Sequence, residues 1–113
     1  MFKRKIFWQL IFSTSDEMEL FFAHHTSKVY KGVLGEFLLV KKEKTLHAFK
    51  NRCPHQNKPL NGCSIKDEVI ICPFHKYQYS IRDGKGHGMC LEKYPTKIEE
   101  DKFYVGKEKW SLF

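Results

Sequence analysis

Two cysteine–histidine pairs hold most of the chemistry open to this 113-residue chain. Cys53-Pro54-His55 reads C-x-H, sixteen residues follow, and Cys72-Pro73-Phe74-His75 reads C-x-x-H. Each histidine follows its cysteine closely enough for one loop to aim both side chains at a single metal centre. The proline after each cysteine biases that cysteine toward extended backbone and takes one N–H out of the loop. A Cys2His2 set can hold Zn²⁺ as a tetrahedral staple. The order C-x-H then C-x-x-H is not the familiar zinc-finger order, however, and the Pro59-Leu60-Asn61-Gly62 that follows the first pair has no zinc rationale. Disulfide pairing of the cysteines is not expected of a cytoplasmic chain. Cys63 and Cys90 fall outside the pattern and read as small buried residues. His24, His25, His47 and His87 have no partnering pattern and read as surface or structural histidines.

Short strands must carry these loops. Aromatic and β-branched residues recur in brief runs separated by Gly, Pro, Asn or Asp, which favours strands over helices. Residues 5–13 fit a first strand with Ile6, Trp8, Leu10 and Phe12 on one face and Phe7, Gln9 and Ile11 on the other. Thr14 and Glu17 then have capping-box spacing, and Met18–Ala23 fits either a short helix or a strand. Lys28–Val33 and Glu36–Lys41 read as strands around Gly32 and Gly35. Phe37–Val40 faces Thr45–Phe49 across the charged turn Lys42-Glu43-Lys44, and that hairpin delivers the chain to Cys53. Val69–Ile71 is a buried-type strand delivering Cys72, and Tyr77–Arg82 leads away to the turn dipeptide Asp83-Gly84. After a Gly86-His87-Gly88 link, Leu91–Tyr94, Thr96–Glu99 and Phe103–Val105 supply closing strands. The sum is a small antiparallel β-sandwich or open barrel, all-β in class.

Length allows one domain, residues 1–113, with a modest core. At 42 % hydrophobic and 15 % aromatic content, the chain is globular rather than disordered. A formal charge of +7 raises nucleic-acid binding as a possibility. The sequence has no helix-turn-helix pattern, no zinc-finger order and no RNA-binding aromatic signature, so no nucleic acid is expected. The charge fits better with steering toward an acidic protein partner. The opening Met1–Phe12 mimics a secretion signal, but its apolar run is short, Gln9 interrupts it and no small-residue cleavage site follows. No stretch is long enough to cross a bilayer. The expectation is a cytoplasmic protein without a membrane partner.

The two loops resemble those of the Rieske family, whose [2Fe–2S] cluster is held by two cysteines on one iron and two histidines on the other. Cys53–Gly62 is similar to the family's first loop, C-x-H-x-G-x-P-L followed soon by Gly, and Cys72–His75 to its second. Gln78–Gly84 is similar to the strand and turn that follow. The likeness is clear over about residues 46–86, with cluster loops at about 51–64 and 72–80. It implies Cys53, His55, Cys72 and His75 as iron ligands, with Pro73, Lys58 and Tyr79 around the cluster. Two neutral imidazoles in place of two thiolates favour the reduced form. The potential then lies within roughly −150 to +300 mV, above that of plant-type ferredoxins. Respiratory members join the two loops by a disulfide; Lys58 and Phe74 stand at the matching positions here, which implies the ferredoxin branch. Tyr79 stands where respiratory members place a tyrosine that donates to a cysteine sulfur, and packing beside the cluster is its alternative role. Asn57 replaces the usual Gly of loop one, and Lys76 the Gly that commonly follows the second histidine. Lys58 and Lys76 are candidate docking residues.

The resemblance implies a soluble electron carrier between a reductase and a terminal oxygenase, not a catalyst. The chain has no room for a mononuclear-iron domain and no 2-His-1-carboxylate set. The alternative it implies is the small subunit of an assimilatory nitrite reductase, partnered by that enzyme's large subunit. A zinc-stapled binding module is the remote alternative.

Overall fold

Phe37-Leu38-Leu39-Val40 is buried on both sides, and this sets the layering of the molecule. The structure is a computed structural model describing residues 3–23, 25–33, 35–42, 45–54, 58–60, 62–73 and 76–111, with backbone alone for residues 3, 4 and 108–111. The run lies in β3 (Gly35–Lys42), which pairs antiparallel with β2 (Ser27–Gly32) and β4 (Thr45–Lys50); β10 (Lys93–Tyr94) completes a sheet of order β10-β4-β3-β2. Successive strand side chains point to opposite faces. Phe37 and Leu39 therefore enter one core, with Leu46, Ala48 and Tyr94. Leu38 and Val40 enter another, with Phe49, Ile70 and Leu91. A strand covered on both faces reads as a continuous apolar run rather than an alternation, as this one does.

The first core is closed by helix α1 (Ser15–Phe22) and by a sheet of order β1-β12-β11, comprising β1 (Lys3–Phe12), β12 (Lys102–Ser111) and β11 (Thr96–Glu99). The helix-or-strand ambiguity over Met18–Ala23 resolves as helix. The Thr14 side chain accepts the Glu17 N–H at 3.1 Å, and Glu17 in turn accepts the Ser13 N–H at 3.1 Å. Met18 and Phe22, one helical turn apart, bury together.

The expected face of β1 needs a correction. Leu10 pairs with Tyr104 but Phe12 pairs with Phe103, so two residues of β1 advance against one of β12. This β-bulge turns Phe12 away from the Ile6–Trp8–Leu10 face and buries it beside Ile11. Phe12 then packs against Phe21, with ring centroids 5.2 Å apart.

The second core is closed by a sheet of order β5-β6-β7, comprising β5 (Ser64–Lys66), β6 (Val69–Ile71) and β7 (Gln78–Ser80). One ligand loop joins β4 to β5 and the other joins β6 to β7. The Gly86-His87-Gly88 link is a hairpin turn between β8 (Lys85–Gly86) and β9 (Met89–Cys90). His87 and Gly88 both have positive φ, 53° and 75°, the two-residue geometry that suits a twisted hairpin. Gly84 (φ 78°) sits so close to the Leu91 carbonyl that a Cβ would fall 2.1 Å from its oxygen. Only glycine fits there, and the Leu91 N–H returns to the Gly84 carbonyl at 2.8 Å. Among the described residues no helix is long and apolar enough to cross a membrane.

Candidate metal centre

Cys53 and Cys72 are fully buried and form no disulfide among the described residues; they lie in the second core with Leu60, Ile70 and Tyr79. Their loops close in the same way despite different sequences. The Cys53 N–H donates to the Lys58 carbonyl at 2.8 Å, and the Cys72 N–H donates to the Tyr77 carbonyl at 2.8 Å. Both bonds span five residues, so each cysteine occupies the same point of an equivalent turn. The Lys76 N–H adds a 3.1 Å bond to the Cys72 carbonyl. Lys76 holds φ at 61°, the left-handed region that favours glycine, so lysine takes up the conformation expected of the residue it replaces.

Tyr79 on β7, paired with Ile70 of β6, lies against Cys53. Its hydroxyl is 3.5 Å from Cys53 Sγ. Burial first, then the bond to Cys53 and the negative charge that Cys53 and Cys72 can carry, hold the phenol well above its ordinary pKa. The hydroxyl therefore keeps its proton and can donate a hydrogen bond to sulfur. Two buried cysteines in equivalent turns, one of them against the Tyr79 hydroxyl and each leading into a proline, fit the two-cysteine half of an iron–sulfur centre. A metal-bound sulfur would carry no proton, and the Tyr79 hydroxyl would then be the donor of this bond. Pro73 is half-buried directly after Cys72, whereas Lys58 and Lys76 are exposed. The histidines His55 and His75, together with Gln56, Asn57, Asn61 and Phe74, lie outside the described residues, as do His24, Glu43 and Lys44.

Residues 12–97 match the Rieske [2Fe-2S] domain. The chain belongs to the Rieske family. Its cofactor is accordingly a [2Fe–2S] cluster. The ferredoxin component of an alkene monooxygenase system from Xanthobacter autotrophicus is 39 % identical over 77 residues, covering 65 % of this chain and 63 % of that protein. Apoptosis-inducing factor 3 from Homo sapiens is 33 % identical over 82 residues, covering 69 % of this chain but only 14 % of that longer protein. This Rieske chain thus spans less than two thirds of the length of either relative. Among solved structures, a carbazole 1,9a-dioxygenase ferredoxin from Nocardioides aromaticivorans superimposes with a TM-score of 0.61 at 20 % identity, covering 71 % of this chain and 83 % of that one. A protein described as an NADH-dependent nitrite reductase small subunit from Mycobacterium tuberculosis gives a TM-score of 0.71 at 15 % identity, covering 91 % and 96 %. Both likenesses establish the fold.

Several residues that support the Rieske loops carry no motif of their own. Asn51 is buried two residues before Cys53; its Oδ1 accepts the Leu60 N–H at 2.9 Å and its Nδ2 donates to Glu36 Oε2 at 3.2 Å. One side chain thereby clasps the two ends of the first loop to β3. A polar residue at the end of an apolar strand was the available signal. Lys93 ties the middle sheet to the segment after β7, donating to the Ile81 and Arg82 carbonyls at 3.0 and 2.9 Å and lying 3.0 Å from His47 Nδ1. Burial lowers the pKa of Lys93, and burial, then Lys93 and Lys42, lower that of His47. The His87 ring lies against Tyr77, with centroids 4.8 Å apart, and 6.5 Å from that of Tyr79. Cys63 is half-buried, 3.6 Å from Ser27 Oγ, whereas Cys90 is exposed, contrary to the expectation that both are buried. Cys90 sits on the two-residue strand β9 at the molecular surface, where the tight β8–β9 turn leaves its side chain uncovered.

Proposed function

We propose that this Rieske domain is a one-electron carrier, accepting electrons from a reductase and passing them to a terminal oxygenase, and that residues 1–113 form a single cluster domain. The observation that carries this is the pair of buried cysteines in matching loop closures, one of them against Tyr79, in a chain 39 % identical over 77 residues to the ferredoxin component of an alkene monooxygenase system. Cys53 and Cys72 would hold one iron, and His55 and His75 the other, through the loops at about 51–64 and 72–80. The bound cluster supplies the one-electron couple. The chain's own residues set its surroundings: the Tyr79 hydroxyl donates a hydrogen bond to sulfur, Asn51 and the two Cys N–H bonds fix the loops, and Leu60 and Ile70 keep water from the cysteine side. A net charge of +7 supports acidic partners met through Lys58 and Lys76. The protein would act as a component of an oxidoreductase system without oxidising substrate itself. Free cysteines suit a reducing compartment such as the cytoplasm.

The test is the purified protein itself. It should contain iron and acid-labile sulfide in equal amounts and, once reduced, give the electron paramagnetic resonance signal of a histidine-ligated cluster. His55→Cys or His75→Cys should lower the midpoint potential or abolish the cluster. A colourless protein carrying zinc would refute the proposal. A second role, as the small subunit of a nitrite reductase, is favoured by the fuller superposition on the mycobacterial small subunit, 91 % against 71 % of this chain. Electron delivery in reconstitution with a sirohaem-containing large subunit, and not with an oxygenase, would select that role.

A further inference from the structure

Lys50 ends β4 and Arg52 immediately precedes Cys53, so a cation stands on each side of the buried Asn51 clasp as the chain enters its first cluster loop. Both side chains are exposed. Several other lysines are engaged: Lys31 with Glu36, Lys41 with Glu19, Lys42 with Glu68, Lys97 with Glu99 and Lys93 with backbone carbonyls. Lys50 and Arg52 have no such side-chain partner among the described residues. They are also the two residues shared by adjoining hollows. One is a cleft of about 410 Å³ whose floor reaches Cys53 and whose rim holds Cys90 and Glu92. The other is a hollow of about 280 Å³ that runs on toward Tyr94 and Lys107. The result is a continuous trough beside one flank of the cluster loop, with unpaired positive charge at its middle.

The lining also selects among anions. Glu92 stands on the rim of the cleft and Glu36 in the wall of the hollow, where Glu36 is held by Asn51. A dense phosphate array laid along the trough would meet both acids. Isolated carboxylates on an extended backbone would meet the cations and pass between the acids. The guanidinium of Arg52 has the fork that matches a carboxylate. We propose that this trough is a docking slot for an acidic, extended segment of the electron-transfer partner, with a carboxylate pairing to Arg52 and Lys50 beside the first cluster loop. This rests on the electron-carrier function above and adds to it. The partner would be held on the β4–β10 flank of the cluster loops rather than evenly over their tips.

Exposed Cys90 on the trough's rim provides a reporter in the holoprotein. Its alkylation is followed by peptide mass spectrometry at low ionic strength, with an oligoglutamate peptide as the probe. The peptide should slow Cys90 alkylation several-fold. Lys50→Gln/Arg52→Gln should raise the peptide concentration needed by about tenfold, the scale of losing one charge-assisted contact. The charge-matched Lys66→Gln/Lys102→Gln should leave that concentration near wild type. Three results would overturn the slot: no protection of Cys90, equal weakening by both double variants (diffuse attraction to net charge), or equal protection by inorganic phosphate (a small-anion site). The visible absorbance of the cluster is recorded on each sample. Its absence would sink the electron-carrier function, whereas an intact cluster with an unprotected Cys90 would sink the slot alone.

Discussion

Replacing Tyr79 with Phe removes one hydroxyl and leaves the packing of the second core nearly unchanged, because the ring is wholly buried and phenylalanine fills the same space. The hydroxyl lies 3.5 Å from Cys53 Sγ and is held in its protonated form by burial and by Cys53. Reduction adds one negative charge to the [2Fe–2S] cluster that Cys53 is proposed to ligate, so the donated hydrogen bond should be stronger in the reduced state. Bonds to charged groups contribute about 1.5–3 kcal/mol and neutral ones about 0.5–1.5, which makes the difference between redox states about 1 kcal/mol. For a one-electron couple, about 1.4 kcal/mol corresponds to about 59 mV. Tyr79→Phe should therefore lower the midpoint by about 40 mV, within a range of roughly 20–60 mV. Spectroelectrochemical titration of both proteins at one pH measures this directly, and the visible spectrum verifies that the cluster is intact. An unchanged or raised midpoint in a fully loaded variant would refute the donor role of the hydroxyl and leave Tyr79 as packing alone.

Lys76→Gly should stabilise the protein by about 0.5–1 kcal/mol. Relief of left-handed backbone gains about 1–2 kcal/mol, and the greater unfolded-state freedom of glycine offsets roughly half of it; urea unfolding checks this against φ 61° at that position. Asn51→Ala leaves the Leu60 N–H, 2.9 Å from Asn51 Oδ1, without its acceptor, and should cost about 1–3 kcal/mol and speed loss of iron to chelators. An unaltered chelation rate would show that the loop closes without the clasp. The lowered pKa of His47, caused by burial and then by Lys93 and Lys42, makes the unfolded chain bind more protons below about pH 6.5. Its contribution to stability is present above that pH and declines as pH falls toward the depressed folded value. His47→Gln should flatten the wild-type slope in this window, as read from thermal unfolding across pH.

The local chemistry of this protein was legible in its amino-acid order because it depends on neighbours in the chain. The Cys53 and Cys72 loop closures, the Thr14–Glu17 cap and the Asp83-Gly84 turn each act within a few residues. The doubly buried Phe37–Val40 run likewise declared itself by its unbroken hydrophobicity. The short strands β5, β8 and β9 left no comparable trace, since Ser64–Lys66, Lys85–Gly86 and Met89–Cys90 lack the unbroken apolar run that marks Val69–Ile71.

What the fold alone decided is which distant groups meet. Strand geometry alone puts Phe12 on the face of Ile6, Trp8 and Leu10, yet the one-residue mismatch against β12 turns Phe12 into the core; a bulge belongs to a pair of strands and cannot be read from either one. The hydroxyl of Tyr79 reaches a cysteine 26 positions away, and Lys93 reaches a histidine 46 positions away. Asn51 becomes a clasp only because β3 brings Glu36 alongside, and Lys50 and Arg52 line one trough only because β9 and β10 pack beside the first loop. Ligand identity is a matter of residue type at short spacing, whereas burial, hydrogen-bond partners and surface charge depend on contacts that exist only once the sheets have closed around both cores.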